Sequence, residues 1–68
     1  MELNWTDGFS IRVRIDGNTA VLSANREGLL SIASHLTALA KEPAGSHIHL
    51  DAENSLEDGS AELILERV

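Results

Sequence analysis

The sequence predicts a small α+β domain of order β-β-α-β-β, a four-stranded antiparallel sheet with one helix packed on one face. Three observations carry the prediction. A single segment has helical apolar spacing, short alternating segments stand on both sides of it, and 68 residues suffice for only one domain, residues 1–68.

The helix is predicted over Asn25–Glu42, NREGLLSIASHLTALAKE. Its apolar residues Leu29, Leu30, Ile32, Ala33, Leu36, Leu39 and Ala40 draw one stripe on a 3.6-residue helix. Leu36 sits at the centre of that stripe. Ser23 or Asn25 can cap the start, since either side-chain oxygen can accept an orphan backbone N–H, and Glu27 suits the first turn. Gly28 weakens that turn slightly, whereas Lys41 complements the dipole at the far end. Pro43 and Gly45 stop the helix. His35 falls off the apolar stripe, together with Gly28, Ser31 and Glu42, and reads as a solvated helix histidine.

Before the helix, Met1 to Gly8 is polar and reads as loosely ordered, with Trp5 as a lid on a core edge. Phe9 to Asp16 alternates: Phe9, Ile11, Val13 and Ile15 on one face, Ser10, Arg12, Arg14 and Asp16 on the other. That is the pattern of a half-buried strand. Asp16-Gly17 is a hairpin signal, and Thr19 to Ser23 is the return strand, with Ala20/Leu22 and Val21 competing for the core. After the helix, Ser46 to Asp51 is the third strand, Ile48 and Leu50 facing one way and His47, His49 and Asp51 the other. Ala52 to Ser60 is an acidic loop anchored by Leu56. Ala61 to Val68 is the last strand, with Leu63 and Leu65 inward and Glu62, Ile64 and Glu66 outward. A right-handed crossover makes the third strand parallel to the second. With the third strand beside the first, the order is 2-1-3-4 and every neighbouring pair is antiparallel. Arg12 and Arg14 then lie beside His47, His49 and Asp51, with Glu62 and Glu66 beyond.

Composition narrows the function. The chain has no cysteine, so disulfide and thiolate chemistry are excluded, and a reducing cytoplasm is the expected location. The start, MELNWTDGFS, lacks the basic and apolar regions of a signal peptide. No apolar run approaches the roughly 20 residues a membrane span needs. The net charge is −6, and residues 51–68 hold six acids against one base. Such a surface repels nucleic acid and anionic lipid and attracts basic proteins. Solubility alone is an equally good account of the charge. A chain of this size buries little of its surface, and a homodimer is one way to supply the missing burial.

The pattern His47-x-His49-x-Asp51 places two imidazoles and a carboxylate on one strand face, as in some zinc enzymes. A flat open face excludes no water, so the preferred reading is of imidazoles stacked against Arg12 and Arg14. No metal or other cofactor is expected. Asp51–Glu62 echoes a calcium loop, but Leu56 stands where the sharp turn requires glycine. There is no nucleophile elbow, no phosphate-cradling loop and no basic–aromatic interleaving.

The segments AVLSANREGLLSIASHLTALA (20–40), GSHIHLD (45–51) and NSLEDGSAELILERV (54–68) resemble a family of small bacterial immunity proteins found beside polymorphic toxin genes, the immunity protein thirty-two family. The resemblance runs from about Asn18 onward and leaves MELNWTDG outside it. It implies a non-catalytic protein of the producing cell that neutralises a bacterial toxin by binding it. If that toxin is a nuclease, acidic groups can mimic phosphate and steer association. The candidate partner-binding residues are Arg12, Arg14, His47, His49, Asp51, Glu57, Asp58, Glu62 and Glu66. Two rivals stand beside this reading: a homodimeric structural or regulatory domain, and a metal-dependent hydrolase on His47, His49 and Asp51.

Overall fold

A two-residue turn closes the first hairpin. Strands β1 (Ile11–Asp16) and β2 (Thr19–Ala24) pair antiparallel, with Asp16 opposite Thr19. Gly17 takes φ +62° while Asn18 stays at negative φ, the signature of a turn whose first central residue must be glycine. By register Leu22 lies opposite buried Val13 and Val21 opposite Arg14, yet Leu22 is exposed and Val21 half-buried, so neither side of β2 is fully covered. The computed structural model describes all 68 residues.

Helix α1 spans Arg26–Ala40, and Asn25 is its cap. The Asn25 side-chain oxygen accepts from the Gly28 N–H at 2.8 Å and the Ser10 N–H at 3.0 Å, while its amide donates to the Gly8 carbonyl at 2.9 Å. One side chain therefore ties the helix start to the chain entering β1. Gly28 is required by contact: a Cβ there would stand 2.6 Å from the Ser10 carbonyl oxygen and 2.9 Å from Ile11 Cγ1. The helix starts almost touching the sheet.

The face that α1 buries differs from the expected stripe. Gly28, Ser31, Ile32, His35 and Leu39 point inward, whereas Leu29, Leu30 and Leu36 are each about half exposed. His35, expected in solvent, is completely buried. The cause is the N-terminal stretch, which forms no helix or strand but runs along this side of α1. Trp5 stacks on Phe9 and meets the His35 ring edge-on at 4.2 Å. The Thr6 N–H donates to Ser31 Oγ, which donates to the Glu27 carbonyl. Small and polar positions face inward because a backbone and an indole, not a bare sheet, lie against them.

Strands β3 (His47–Leu50) and β4 (Leu63–Glu66) form a second antiparallel pair, His49 opposite Ile64 and His47 opposite Glu66. The fold is thus α+β with two separate two-stranded sheets, not one sheet of order 2-1-3-4. The free edge of β1 is taken by residues 57–61. The Ile11 carbonyl accepts from the Glu57 N–H at 2.9 Å, the Val13 carbonyl accepts from the Ala61 N–H at 2.8 Å, and the Val13 N–H donates to Ser60 Oγ. With those groups satisfied locally, β1 has no edge left for β3. Ile11, Val13, Ile32, Leu39, Ile48, Leu50 and Leu56 form the core, and Leu3, Trp5, Phe9, Leu63 and Leu65 pack around it. Leu56 anchors the acidic loop, as its sequence position suggested.

Candidate binding face

Alternation along the strands sends one set of side chains away from the core. On β3, His47 and His49 alternate with buried Ile48 and Leu50; on β1, Arg12 and Arg14 alternate with Ile11 and Val13. The two sets do not form one row, because residues 57–61 take the free edge of β1 and the two hairpins are separate sheets.

The first group is built on β3 and β4. His49 Nδ1 lies 3.1 Å from Glu62 Oε2, and His47 Nδ1 lies 3.1 Å from the Gly45 carbonyl oxygen. The two rings meet edge to face with centroids 5.0 Å apart. The histidines therefore meet each other edge to face and do not stack against Arg12 and Arg14. Ile64, half exposed, sits opposite His49, and Glu66 sits opposite His47. Ile64 shares this face and was not among the residues singled out from the sequence, although its outward place between Glu62 and Glu66 was readable from alternation. It gives an otherwise polar face an apolar centre.

The second group surrounds the loop. Arg12 donates from Nη1 to the Asp58 carbonyl at 2.9 Å, so it is pinned to the loop backbone. Arg14 makes a long contact of 3.5 Å to Ser23 Oγ. Glu57 accepts from Ser10 Oγ at 3.0 Å. Ser10, Arg12, Ser23, Ala24, Asn25 and Glu57 line an open polar cleft of about 360 Å³.

Asp51 belongs to neither group. Its Oδ1 accepts from the Glu53 and Asn54 N–H groups, at 2.9 and 3.1 Å, and its carbonyl accepts from Ser55 and Leu56. Asn54 completes the clasp by donating to the His49 carbonyl. Asp51 is a loop-forming residue, and the expected convergence of His47, His49 and Asp51 does not occur. No three His, Asp or Glu side chains converge in a way that could hold a metal ion. The clasp and buried Leu56 hold Glu53, Glu57 and Asp58 exposed on a fixed backbone.

One titratable group shifted by its surroundings lies elsewhere. Burial lowers the His35 pKa below its ordinary 6.5, partly opposed by the Asn4 backbone, which nonetheless completes no good hydrogen bond to either ring nitrogen. A neutral imidazole under Trp5 has no access to a substrate.

The protein-family model for Immunity protein 32 matches residues 19–68. The chain belongs to the immunity protein 32 family. The match begins at the first residue of β2 and takes in α1, β3, the acidic loop and β4. No curated protein and no solved structure matches the chain. Family membership gives the general role, toxin neutralisation, with a protein toxin as partner, and the family is generally non-catalytic. No helix of this immunity protein is long and apolar enough to cross a membrane.

Proposed function

We propose that this immunity protein neutralises its toxin by direct binding, without catalysis, through the outward face of β3 and β4 together with the 51–60 loop. The observation that carries the reading is the fixed presentation of that surface. Glu62 is hydrogen-bonded to His49 beside exposed Ile64, and the loop acids sit on a backbone clasped by Asp51 and anchored by Leu56. Groups held in place before binding lose less conformational entropy on binding. An apolar centre with a polar rim is the ordinary anatomy of a protein–protein contact. Arg12 serves the loop, and Arg14 lies at the margin of the surface.

The acidic block, six acids against one base over residues 51–68, favours a toxin with a basic surface. A nuclease fits, since its substrate-binding surface is cationic and charge complementarity raises association rates. The proposed place of action is the cytoplasm of the producing cell, supported by the absence of cysteine in so small a domain. The test is kinetic. With the purified toxin, Ile64→Glu is expected to raise the dissociation rate by tenfold or more while the fold is kept, because Ile64 is an exposed strand residue. Unchanged binding by Ile64→Glu and by His49→Ala would move the interface off β3 and β4.

A further inference from the structure

Strand β2 is an open edge, and the register shows which of its backbone groups are free. In an antiparallel pair, opposed residues alternate between those that exchange hydrogen bonds and those that do not. The Ile11 and Val13 carbonyls are bonded on the far side of β1, to the Glu57 and Ala61 N–H groups. Their cross-strand partners, Ala24 and Leu22, therefore stand in non-hydrogen-bonded pairs, and so does Ala20, opposite Ile15. The N–H and carbonyl groups of Ala20, Leu22 and Ala24 point away from β1, and no loop backbone bonds to them. Proteins guard such an edge with charge, proline, a bulge or a covering segment. The other edge of this hairpin has its covering segment in residues 57–61. Strands β3 and β4 are only four residues each and carry His47, His49 and Glu66. In contrast, β2 is six residues, Thr-Ala-Val-Leu-Ser-Ala, without charge or proline, and it pairs residue for residue with β1, without a bulge.

We propose that β2 pairs antiparallel with β2 of a second copy of this chain, about a two-fold axis at Leu22, giving a four-stranded sheet of order β1-β2-β2-β1. A two-fold interface must be self-complementary, and the free groups of β2 are centred on Leu22. Leu22 exchanges both backbone hydrogen bonds with its own counterpart, and Ala20 does the same with Ala24 of the other copy. No charged residue lies between Gly17 and Arg26, so like charges do not meet across the axis although each chain carries −6. The side chains agree with the backbone. Leu22 shares a sheet face with its partner Val13 and is 37% exposed. Leu22 against Leu22 completes one apolar row, Val13-Leu22-Leu22-Val13, across all four strands, and apolar cross-strand neighbours stabilise pairing. The single chain also shows more surface than its mass calls for. It exposes 4515 Å², whereas a folded monomer of 7.3 kDa is expected to expose about 4200 Å². The edge belongs to the first hairpin and not to the β3–β4 surface proposed for the toxin, so the two readings can fail separately.

The experiment is sedimentation equilibrium of the untagged protein from micromolar to millimolar concentration, paired with amide hydrogen exchange at both ends of that range. The mass should rise from 7.3 kDa to twice that value. The Ala20 and Leu22 amides should exchange at least tenfold more slowly in the dimer, because pairing protects them from solvent. Leu22→Lys sets two cations face to face at the axis and should weaken association at least tenfold. Leu22 is exposed, so the thermal melt of that variant at micromolar concentration should match the parent and exclude misfolding. Ile64→Glu, on the other hairpin, should leave association unchanged. A single species of 7.3 kDa throughout, or a dimer whose Ala20 and Leu22 amides still exchange at the monomer's rate, would overturn the pairing. So would a dimer that Ile64→Glu weakens and Leu22→Lys does not.

Discussion

His35 shows how far one residue's environment can depart from its sequence context. It is fully buried, both ring nitrogens lack hydrogen bonds, and Trp5 lies edge-on to it. Burial lowers its folded pKa below the ordinary 6.5. The unfolded chain then binds the proton more readily than the folded one. Stability is therefore full above about pH 6.5 and is lost as pH falls below that value. Thermal melts between about pH 7 and pH 5 should show the parent losing stability more steeply than His35→Leu. Equal slopes would mean that the ring is solvated. Gly28 gives a second prediction. Replacing a helical glycine by alanine ordinarily gains up to about 1 kcal/mol. Here the new Cβ would stand 2.6 Å from a backbone oxygen. Gly28→Ala should instead destabilise by roughly 1–3 kcal/mol in urea unfolding, through overpacking.

At the scale of elements, the helix is the sharpest test. Leu36 is about half exposed and Leu50 is fully buried. Leu36→Ala should cost under about 1 kcal/mol, and Leu50→Ala about 2–5 kcal/mol; denaturant midpoints of the two variants decide between this assignment and the reverse. Five elements in the order β-β-α-β-β were legible in the sequence, because period 2 in Phe9–Asp16 and Ser46–Asp51 and period 3.6 in Asn25–Glu42 are local signals. The cap was legible only as Ser23 or Asn25, and Asn25 takes it. The helix face was not legible. Apolar spacing shows which residues could be buried together, but the covering surface includes Trp5 and Thr6, whose docking is not periodic. A line of Gly28, Ser31 and His35 was the available hint, since small and polar residues let another chain segment approach closely. Sheet order failed for a similar reason. Residues 57–61 satisfy the edge of β1 through irregular hydrogen bonds, one of them to Ser60 Oγ, and no alternation announces such a segment. Of the candidate site, His47, His49, Glu62 and Glu66 were correctly placed on one outward face, whereas Asp51 was misplaced because its clasp with Asn54 is a turn and not a strand end.

For the whole molecule, the uneven charge makes a kinetic prediction. The side chains of Glu57 and Asp58 are exposed at the loop. Glu57→Lys with Asp58→Lys should slow association with a basic toxin several-fold at low salt, and the difference should shrink as salt rises. An on-rate unchanged at low salt would remove the loop from recognition. The same molecule has only ten buried residues, so a bound partner that covers the outward face also stabilises the fold by mass action.

Neutralisation by stoichiometric binding, without a covalent change to the toxin, is what we propose for this immunity protein. The most direct measurement is capture from the producing cell with the tagged protein, followed by mass spectrometry of the partner and an activity assay after the complex is dissociated. A toxin-domain protein recovered in fixed ratio, unaltered in mass and active once released, is the predicted result. A toxin left inactive by a covalent change, or the absence of any toxin among the captured proteins, would contradict it.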